Sequence, residues 1–230
     1  MRIRTFVLGA MAAFMAATTL PATAGHSWNG YHWGRTDNPF TLKLGDNVSG
    51  DWDAHLGTTA ADWSRSGVLD ATVVAGGTKP KPCKATQGRV EVCSATYGRN
   101  GWLGLAQIWL SGGHIVKGVA KMNDTYFRTS AYNDPAAKLH VMCQEVGHTL
   151  GLDHQGKGVA SCMNDQDRLF DPAAAHPNQH DYDELADIYA HTDSTDTVSL
   201  AASGKGNGRT KVTVRVRGPF VVVTLVVPVL

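Results

Sequence analysis

The stretch QEVGHTLGLDH, residues 144–154, carries the spacing that decides how this chain is interpreted. Gln144 and His148 are four residues apart, so in a helix they lie one turn apart on the same face. Two side chains placed in this way can converge on one metal ion, with Glu145 beside it. The segment is therefore predicted to be a metal-binding helix.

The end of this segment predicts a third ligand. Gly151 allows a sharp turn where the helix ends, and that turn can bring His154 back towards the same ion. Three protein ligands leave one position of the metal open for a water molecule. Glu145 is then placed to take the proton of that water as the water attacks a peptide carbonyl.

The rest of the chain predicts a mixture of helices and strands. Apolar residues repeat with a helical period from Leu139 to Leu150, from about Asp181 to Ala190 and from Asp51 to Trp63. Short apolar or β-branched runs predict strands at Phe40–Leu44, Val68–Val74, Arg89–Cys93, Trp102–Leu110 and His114–Met122. This order of elements indicates an α+β fold.

Composition and charge exclude several classes of protein. The chain has 230 residues, of which 43% are hydrophobic and 18% charged, so it is expected to fold around a full core. The formal net charge of +1 gives no electrostatic case for binding nucleic acid or an acidic membrane surface. A partner must therefore be argued from a specific site.

Residues 1–24 have the pattern of a signal peptide. Two arginines precede an apolar stretch from Phe6 to Leu20, and Ala22-Thr23-Ala24 is a small-residue cleavage site before Gly25. A membrane anchor is disfavoured because the apolar run is short and contains two threonines. The sequence thus predicts export, and cleavage would change the formal charge from +1 to −1 because two arginines are lost.

Four cysteines remain after that cleavage: Cys83, Cys93, Cys143 and Cys162. An even number in an exported chain indicates disulfides, and three pairings are possible. We favour the local pairing, Cys83 with Cys93 and Cys143 with Cys162. A zinc site made of all four cysteines is disfavoured because the sequence has no C-x-x-C pair.

The central segment resembles the metzincin signature H-E-x-x-H-x-x-G-x-x-H in its matrixin-like form. Glu145, His148, Gly151 and His154 match it in register, and Met163 lies where these enzymes place the methionine of the Met-turn. The resemblance spans about residues 31–191.

This resemblance carries expectations for fold and chemistry. It implies a twisted mixed sheet, an active-site helix and a C-terminal helix, with Zn²⁺ as cofactor and Met163 supporting the metal ligands from below. The substrate would be a polypeptide lying along an edge strand, for which Trp102–Leu110 is the candidate.

One residue departs from the family pattern. The first zinc ligand of metzincins is histidine, whereas this chain has Gln144. Three interpretations follow: Gln144 binds the metal through its oxygen, His140 or Asp153 replaces it, or the site has lost both metal and activity. An amide oxygen is a poorer partner for zinc than an imidazole nitrogen.

The other histidines and the C-terminal region carry weaker signals. His176 and His180 are interpreted as structural, and no role is assigned to His26, His32, His55, His114 and His191. Residues 25–191 are expected to form the catalytic domain, 192–210 a linker and 211–230 a β-hairpin. The apolar run within the hairpin, Phe220–Leu230, has 11 residues and is too short to span a membrane as a helix.

Together these patterns predict a secreted zinc-dependent endopeptidase with Gln144, His148 and His154 as metal ligands and Glu145 as general base. The alternative is a catalytically inactive secreted binding protein that retains a metzincin-like fold. The sequence gives no oligomeric state.

Overall fold

The structure, a computed structural model, describes residues 25–164, 167–198, 210–217 and 220–224. The predicted signal peptide and residues 199–209 of the predicted linker lie outside these described ranges.

A mixed sheet forms the main layer of the molecule. Its strands are β1 (His32–Trp33), β2 (Phe40–Asn47), β3 (Leu69–Ala75), β4 (Arg89–Ala95), β5 (Gly104–Ser111), β6 (His114–Asn123), β7 (Thr210–Arg217) and β8 (Phe220–Thr224). The strand order is β3-β2-β4-β6-β5-β7-β8, and β1 pairs with β6. The pairs β1–β6, β2–β3, β2–β4 and β4–β6 are parallel. The pairs β5–β6, β5–β7 and β7–β8 are antiparallel. The prediction of a mixed sheet with helices is confirmed.

Four α-helices and one short 3₁₀ helix accompany the sheet. They are α1 (Trp52–Ser64), α2 (Asp124–Phe127), α3 (Pro135–Thr149) and α4 (Gln179–Ile188), with the 3₁₀ helix at Pro172–Ala174. Helix α3 begins earlier than its apolar period predicts, because Asp134 caps it by accepting a hydrogen bond from the N–H of Ala137 and Pro135 occupies its first turn. A capping box between Asn178 and Asp181 starts α4.

The core lies between the sheet and the pair α1 and α3. The strands contribute fully buried side chains to this core, among them Leu42, Leu44, Val90 and Val92. Trp63 of α1 joins the two helices, since its indole Nε1 donates to the carbonyl of Cys143 at 3.1 Å. Helix α3 is therefore held against both the sheet and α1.

The strand proposed as an exposed edge is not an edge here. Strand β5 pairs with β6 on one side and antiparallel with β7 on the other, where Ala106 lies opposite Val214. The prediction that β5 offers a free edge is wrong in this respect, because a segment from the C-terminal region occupies that edge.

The first part of the predicted linker packs back on the N-terminal segment. The N–H of Asp193 donates to the carbonyl of Arg35 at 2.8 Å, and the N–H of Thr197 donates to the carbonyl of Gly34 at 2.8 Å. The hydroxyl of Thr197 also donates to the carbonyl of Ile115 at 2.7 Å. Residues 192–198 are thus tied to the sheet.

Both disulfides of the local pairing are formed. Cys83 is joined to Cys93, and Cys143 is joined to Cys162. The second bond links α3 to the segment that carries Met163. Among the described residues, no helix is long and apolar enough to cross a membrane.

Candidate active site

Helix α3 and the turn after it position the predicted site. Gln144, Glu145 and His148 are fully buried on α3. At Gly151 the chain turns with φ 102°, and a Cβ there would lie 2.0 Å from the carbonyl oxygen of Tyr31. Only glycine fits this turn, which brings the chain back to His154.

The two histidines of the motif converge through one nitrogen each. The Nε2 atoms of His148 and His154 are 3.1 Å apart. The Nδ1–H of His148 donates to the carbonyl of Leu152 at 2.9 Å, so its Nε2 carries a lone pair. Burial lowers the pKa of His148 to about 4 and that of His154 to about 2. Both rings are therefore neutral at pH 7, as metal ligands must be.

The amide of Gln144 has a defined orientation. Its Nε2 donates to the carbonyl of Asn164 at 2.8 Å, which fixes the nitrogen on that side. Its Oε1 is buried and has no hydrogen-bond partner among the described residues. A buried amide oxygen without a partner is unfavourable unless another group contacts it, and a cation would satisfy it.

Among the described residues, neither His140 nor Asp153 forms a compact ligand group with His148 and His154. His140 is buried without a ring hydrogen bond of normal geometry, and burial lowers its pKa to about 4. Asp153 accepts the backbone N–H of His154 at 2.8 Å. Within the described part of the chain, no compact group of three His, Cys, Asp or Glu ligand atoms includes His148 and His154.

Glu145 lies beneath strand β5. A Cβ on Gly104 would be 2.4 Å from the Glu145 Oε1 atom, so this strand passes directly over the carboxylate. Neither carboxylate oxygen has a hydrogen-bond partner of normal geometry among the described residues. Burial raises the pKa of Glu145 well above its ordinary value, and the nearby backbone of Ala106 offsets only part of that effect.

Met163 lies against α3 at Gly147. A Cβ on Gly147 would be 2.5 Å from the sulfur of Met163 and 2.6 Å from the ring of Trp63. Glycine at position 147 therefore lets the methionine pack directly on the helix one residue before His148. The N–H of Met163 is held by the hydroxyl of Ser161 at 2.9 Å.

A surface pocket of about 390 Å³ opens beside the site. Its lining includes His154, Gln155, His26 and His180. His154 thus borders open space, whereas Glu145 and His148 are enclosed.

Two clusters of the remaining histidines escaped the sequence interpretation. The Nε2–H of His26 donates to the Oδ1 of Asp181 at 2.9 Å, next to His180. His32, His114 and His191 meet around Asp193. The sequence assigned no role to His26, His32, His114 and His191, because their partners are distant in the sequence.

The donor set at the motif fits a zinc ion. The Nε2 atoms of two neutral imidazoles face each other. Helix α3 also buries the amide oxygen of Gln144 and the carboxylate of Glu145, which have no hydrogen-bond partners of normal geometry among the described residues.

Comparisons with known proteins give little further information. No protein-family model and no curated protein matches the chain. Among solved structures, the chain is similar to high choriolytic enzyme 1, a hatching-enzyme zinc protease from the medaka fish Oryzias latipes. The similarity has 11% identity and a TM-score of 0.38 and covers 69% of this chain and 94% of that one.

Proposed function

We propose that this chain is a secreted zinc-dependent endopeptidase with a metzincin-like catalytic domain. The observation that carries the proposal is that the Nε2 atoms of His148, on α3, and of His154, after α3, lie 3.1 Å apart. Helix α3 also buries the carboxylate of Glu145, which has no hydrogen-bond partner of normal geometry among the described residues. Buried polar groups without partners are rare in folded proteins and concentrate at functional sites.

The metal ligands of the proposal are His148, His154 and Gln144. The two histidines bind through Nε2, and Gln144 binds through Oε1 because its Nε2 is engaged by Asn164. When bound, Zn²⁺ polarises a carbonyl group and lowers the pKa of a coordinated water.

Glu145 is the general base of the proposal. Its carboxylate takes a proton from the attacking water and passes it to the amine that leaves when the peptide bond breaks. Burial raises the pKa of Glu145, so its carboxylate accepts a proton more readily than an exposed one. Glu145 does not need to bind the metal for this role.

The substrate of the proposal is an extended polypeptide. It would add to β5, which passes over Glu145, by backbone hydrogen bonding. In this structure β7 occupies that position, so a substrate must displace β7 or the chain must lack it.

The proposed extracellular location is supported by the cysteines. All four are paired in disulfides, which persist in oxidising compartments outside the cytosol. The predicted signal peptide agrees with this location.

The test is the substitution Glu145→Gln, which keeps the size of the side chain and removes the base. We expect cleavage of a denatured protein to fall by about 10²–10⁴-fold, with new N-termini counted by mass spectrometry. Zinc content and the circular dichroism spectrum should stay unchanged, because the variant loses only a proton acceptor. Glu145→Ala should show the same loss.

Two results would contradict parts of the proposal. Equal hydrolysis by the variant and the unmodified chain would exclude Glu145 as the base. Zinc binding without hydrolysis by either protein would favour the inactive binding protein, for which Gln144 is the argument from the sequence.

A further inference from the structure

A second cluster of metal-ligating side chains lies away from α3. His32 is on β1, His114 begins β6, and His191 and Asp193 follow α4. Strand β1 pairs with β6 in the register His32 to His114, so the backbone itself sets these two histidines side by side.

His32, His114 and Asp193 each place one ligand atom within 4.8 Å of the other two, and His191 lies beside this group. The Nε2 of His114 is 3.0 Å from the Oδ1 of Asp193, and the Nε2 of His191 is 3.2 Å from that of His32. His191 and His32 place their Nε2 atoms 3.4 and 3.5 Å from the same Asp193 oxygen. A tetrahedral zinc ion with bonds of about 2.0–2.1 Å holds its ligand atoms about 3.3 Å apart.

The surroundings orient the donor atoms. The Nδ1–H of His32 donates to the carbonyl of Gly30 at 2.7 Å, which leaves the lone pair on Nε2 facing the centre. The other carboxylate oxygen of Asp193, Oδ2, accepts the buried guanidinium of Arg35 at 2.7 Å, which leaves Oδ1 for the centre. Such hydrogen bonds behind the ligands are typical of protein metal sites.

Arg35 also fixes the segment that supplies two of the ligands. Its guanidinium donates to the carbonyl of Tyr189 at 2.8 Å and to the carbonyl of His191. Its backbone N–H donates to the Asp193 carboxylate at 3.2 Å. The positions of residues 189–193 are therefore set by Arg35, and the donors are held in place before any ion binds.

We propose that His32, His114, His191 and Asp193 form a structural Zn²⁺ site, separate from the site on α3. Three imidazoles and one carboxylate are a donor set that zinc accepts, and four protein ligands leave no position for a reacting water. The ion would fasten the N-terminal segment and residues 191–193 to the start of β6.

The second histidine cluster does not carry the same inference. In the group of His26, His180 and Asp181, the Oδ2 of Asp181 already accepts bonds from the Ser161 hydroxyl at 2.5 Å and the Asn178 N–H at 2.8 Å, and its Oδ1 accepts from His26 at 2.9 Å. His180 is bonded to Gln155 at 2.6 Å. The hydrogen-bonding atoms of Asp181 and the Nδ1 of His180 are therefore already engaged at the N-terminus of α4.

The test counts zinc in the full chain by elemental mass spectrometry after gel filtration. The variant His148→Ala/His154→Ala removes the motif histidines, and we expect it to retain about one zinc per chain. Adding His114→Ala should lower the remaining zinc affinity at least about 100-fold, because losing a ligand costs more than losing a supporting hydrogen bond. Co²⁺ added to the double variant should give the visible spectrum of a tetrahedral ion.

Controls separate metal loss from misfolding. His55→Ala removes a half-buried histidine of α1 that lies outside the cluster, and it should leave the zinc count unchanged. Asp193→Asn keeps the size of its side chain and removes one charged ligand, so it should weaken zinc at least tenfold while circular dichroism stays the same.

The outcomes distinguish this site from the proposed peptidase centre. If the folded double variant binds no zinc, the cluster is only a hydrogen-bonded network, and the proposal is wrong. It is also wrong if the remaining zinc resists both His114→Ala and Asp193→Asn. If the unmodified chain holds one zinc that depends on His114 and not on His148, the structural site stands and zinc binding on α3 fails.

Discussion

Gln144 is the weakest of the three ligands in the proposed zinc centre. Its oxygen is neutral and its orientation is fixed by the hydrogen bond from its Nε2 to Asn164. An amide oxygen is a weaker zinc donor than the nitrogen of a neutral imidazole. The proposed centre is therefore expected to bind zinc less tightly than one with three histidines.

This difference predicts the effect of Gln144→His. The variant places an imidazole one turn from His148, and zinc affinity should rise at least about tenfold, measured by competition with a chelating dye at fixed pH. The prediction concerns affinity and not rate, because a stronger donor also weakens the effect of the metal on its bound water.

The control is His148→Ala, which should abolish zinc binding to this site with either residue at position 144. Both experiments use His114→Ala chains, so that zinc at the proposed structural site does not add to the signal. Unchanged or weaker affinity in Gln144→His would mean that residue 144 does not contact the metal.

Helix α3 and the Met163 segment act as one unit through a covalent bond. The disulfide between Cys143 and Cys162 joins the residue before Gln144 to the residue before Met163. Met163 in turn packs against Gly147. The residues of α3 and the Met163 segment are thus fixed relative to each other.

Loss of this disulfide should affect both stability and zinc binding. Cys143→Ser/Cys162→Ser should lower the free energy of unfolding by about 3 kcal/mol, measured by denaturant titration, because the bond closes a loop of about 20 residues. Zinc affinity at the motif should fall as well. The control, Cys83→Ser/Cys93→Ser, removes a bond with a sequence separation of 10 rather than 19 and should lower stability somewhat less, without changing zinc affinity.

An equal loss of zinc affinity in both double variants would show that the Cys143 to Cys162 bond has no special role at the site. Peptide mapping of the unmodified chain checks the pairing itself. A peptide joining Cys143 to Cys83 or Cys93 would contradict the structure.

At the scale of the whole molecule, sequence reasoning succeeded where the relevant signal is local. The motif fits within 11 residues of one helix and its turn, so its spacing alone predicts how Gln144 and His148 share a face. The periods of α1, α3 and α4 likewise predict helices, with ends that shift by a few residues because caps such as Asp134 set them.

The same reasoning missed features made by distant segments. His32 and His191 are 159 positions apart and meet only because β1 pairs with β6 and Arg35 holds the segment after α4. No spacing rule relates such residues. The pairing of β7 with β5 is also a long-range contact, so the sequence identified a strand without indicating its neighbour.

The position of β7 predicts that the C-terminal region restrains the proposed peptidase. Strand β7 pairs antiparallel with β5 over Leu105 to Leu110, and β5 passes over Glu145. A substrate strand needs the same backbone groups of β5. A chain ending at Val198 should therefore cleave a denatured protein with a higher kcat/KM than the full chain, while its zinc content stays the same.

A full-length variant gives the matched control for that truncation. Val212→Pro/Thr213→Pro keeps the C-terminal region and removes two adjacent backbone donors of β7, so one of them faces β5 in either register. It should raise kcat/KM in the same direction as the truncation, and a synthetic peptide of residues 210–224 should inhibit the truncated chain competitively. Because competition acts on substrate binding, the change should fall mainly on KM. An unchanged KM in both variants would mean that β7 does not share the substrate position, even if Glu145 proves essential for cleavage.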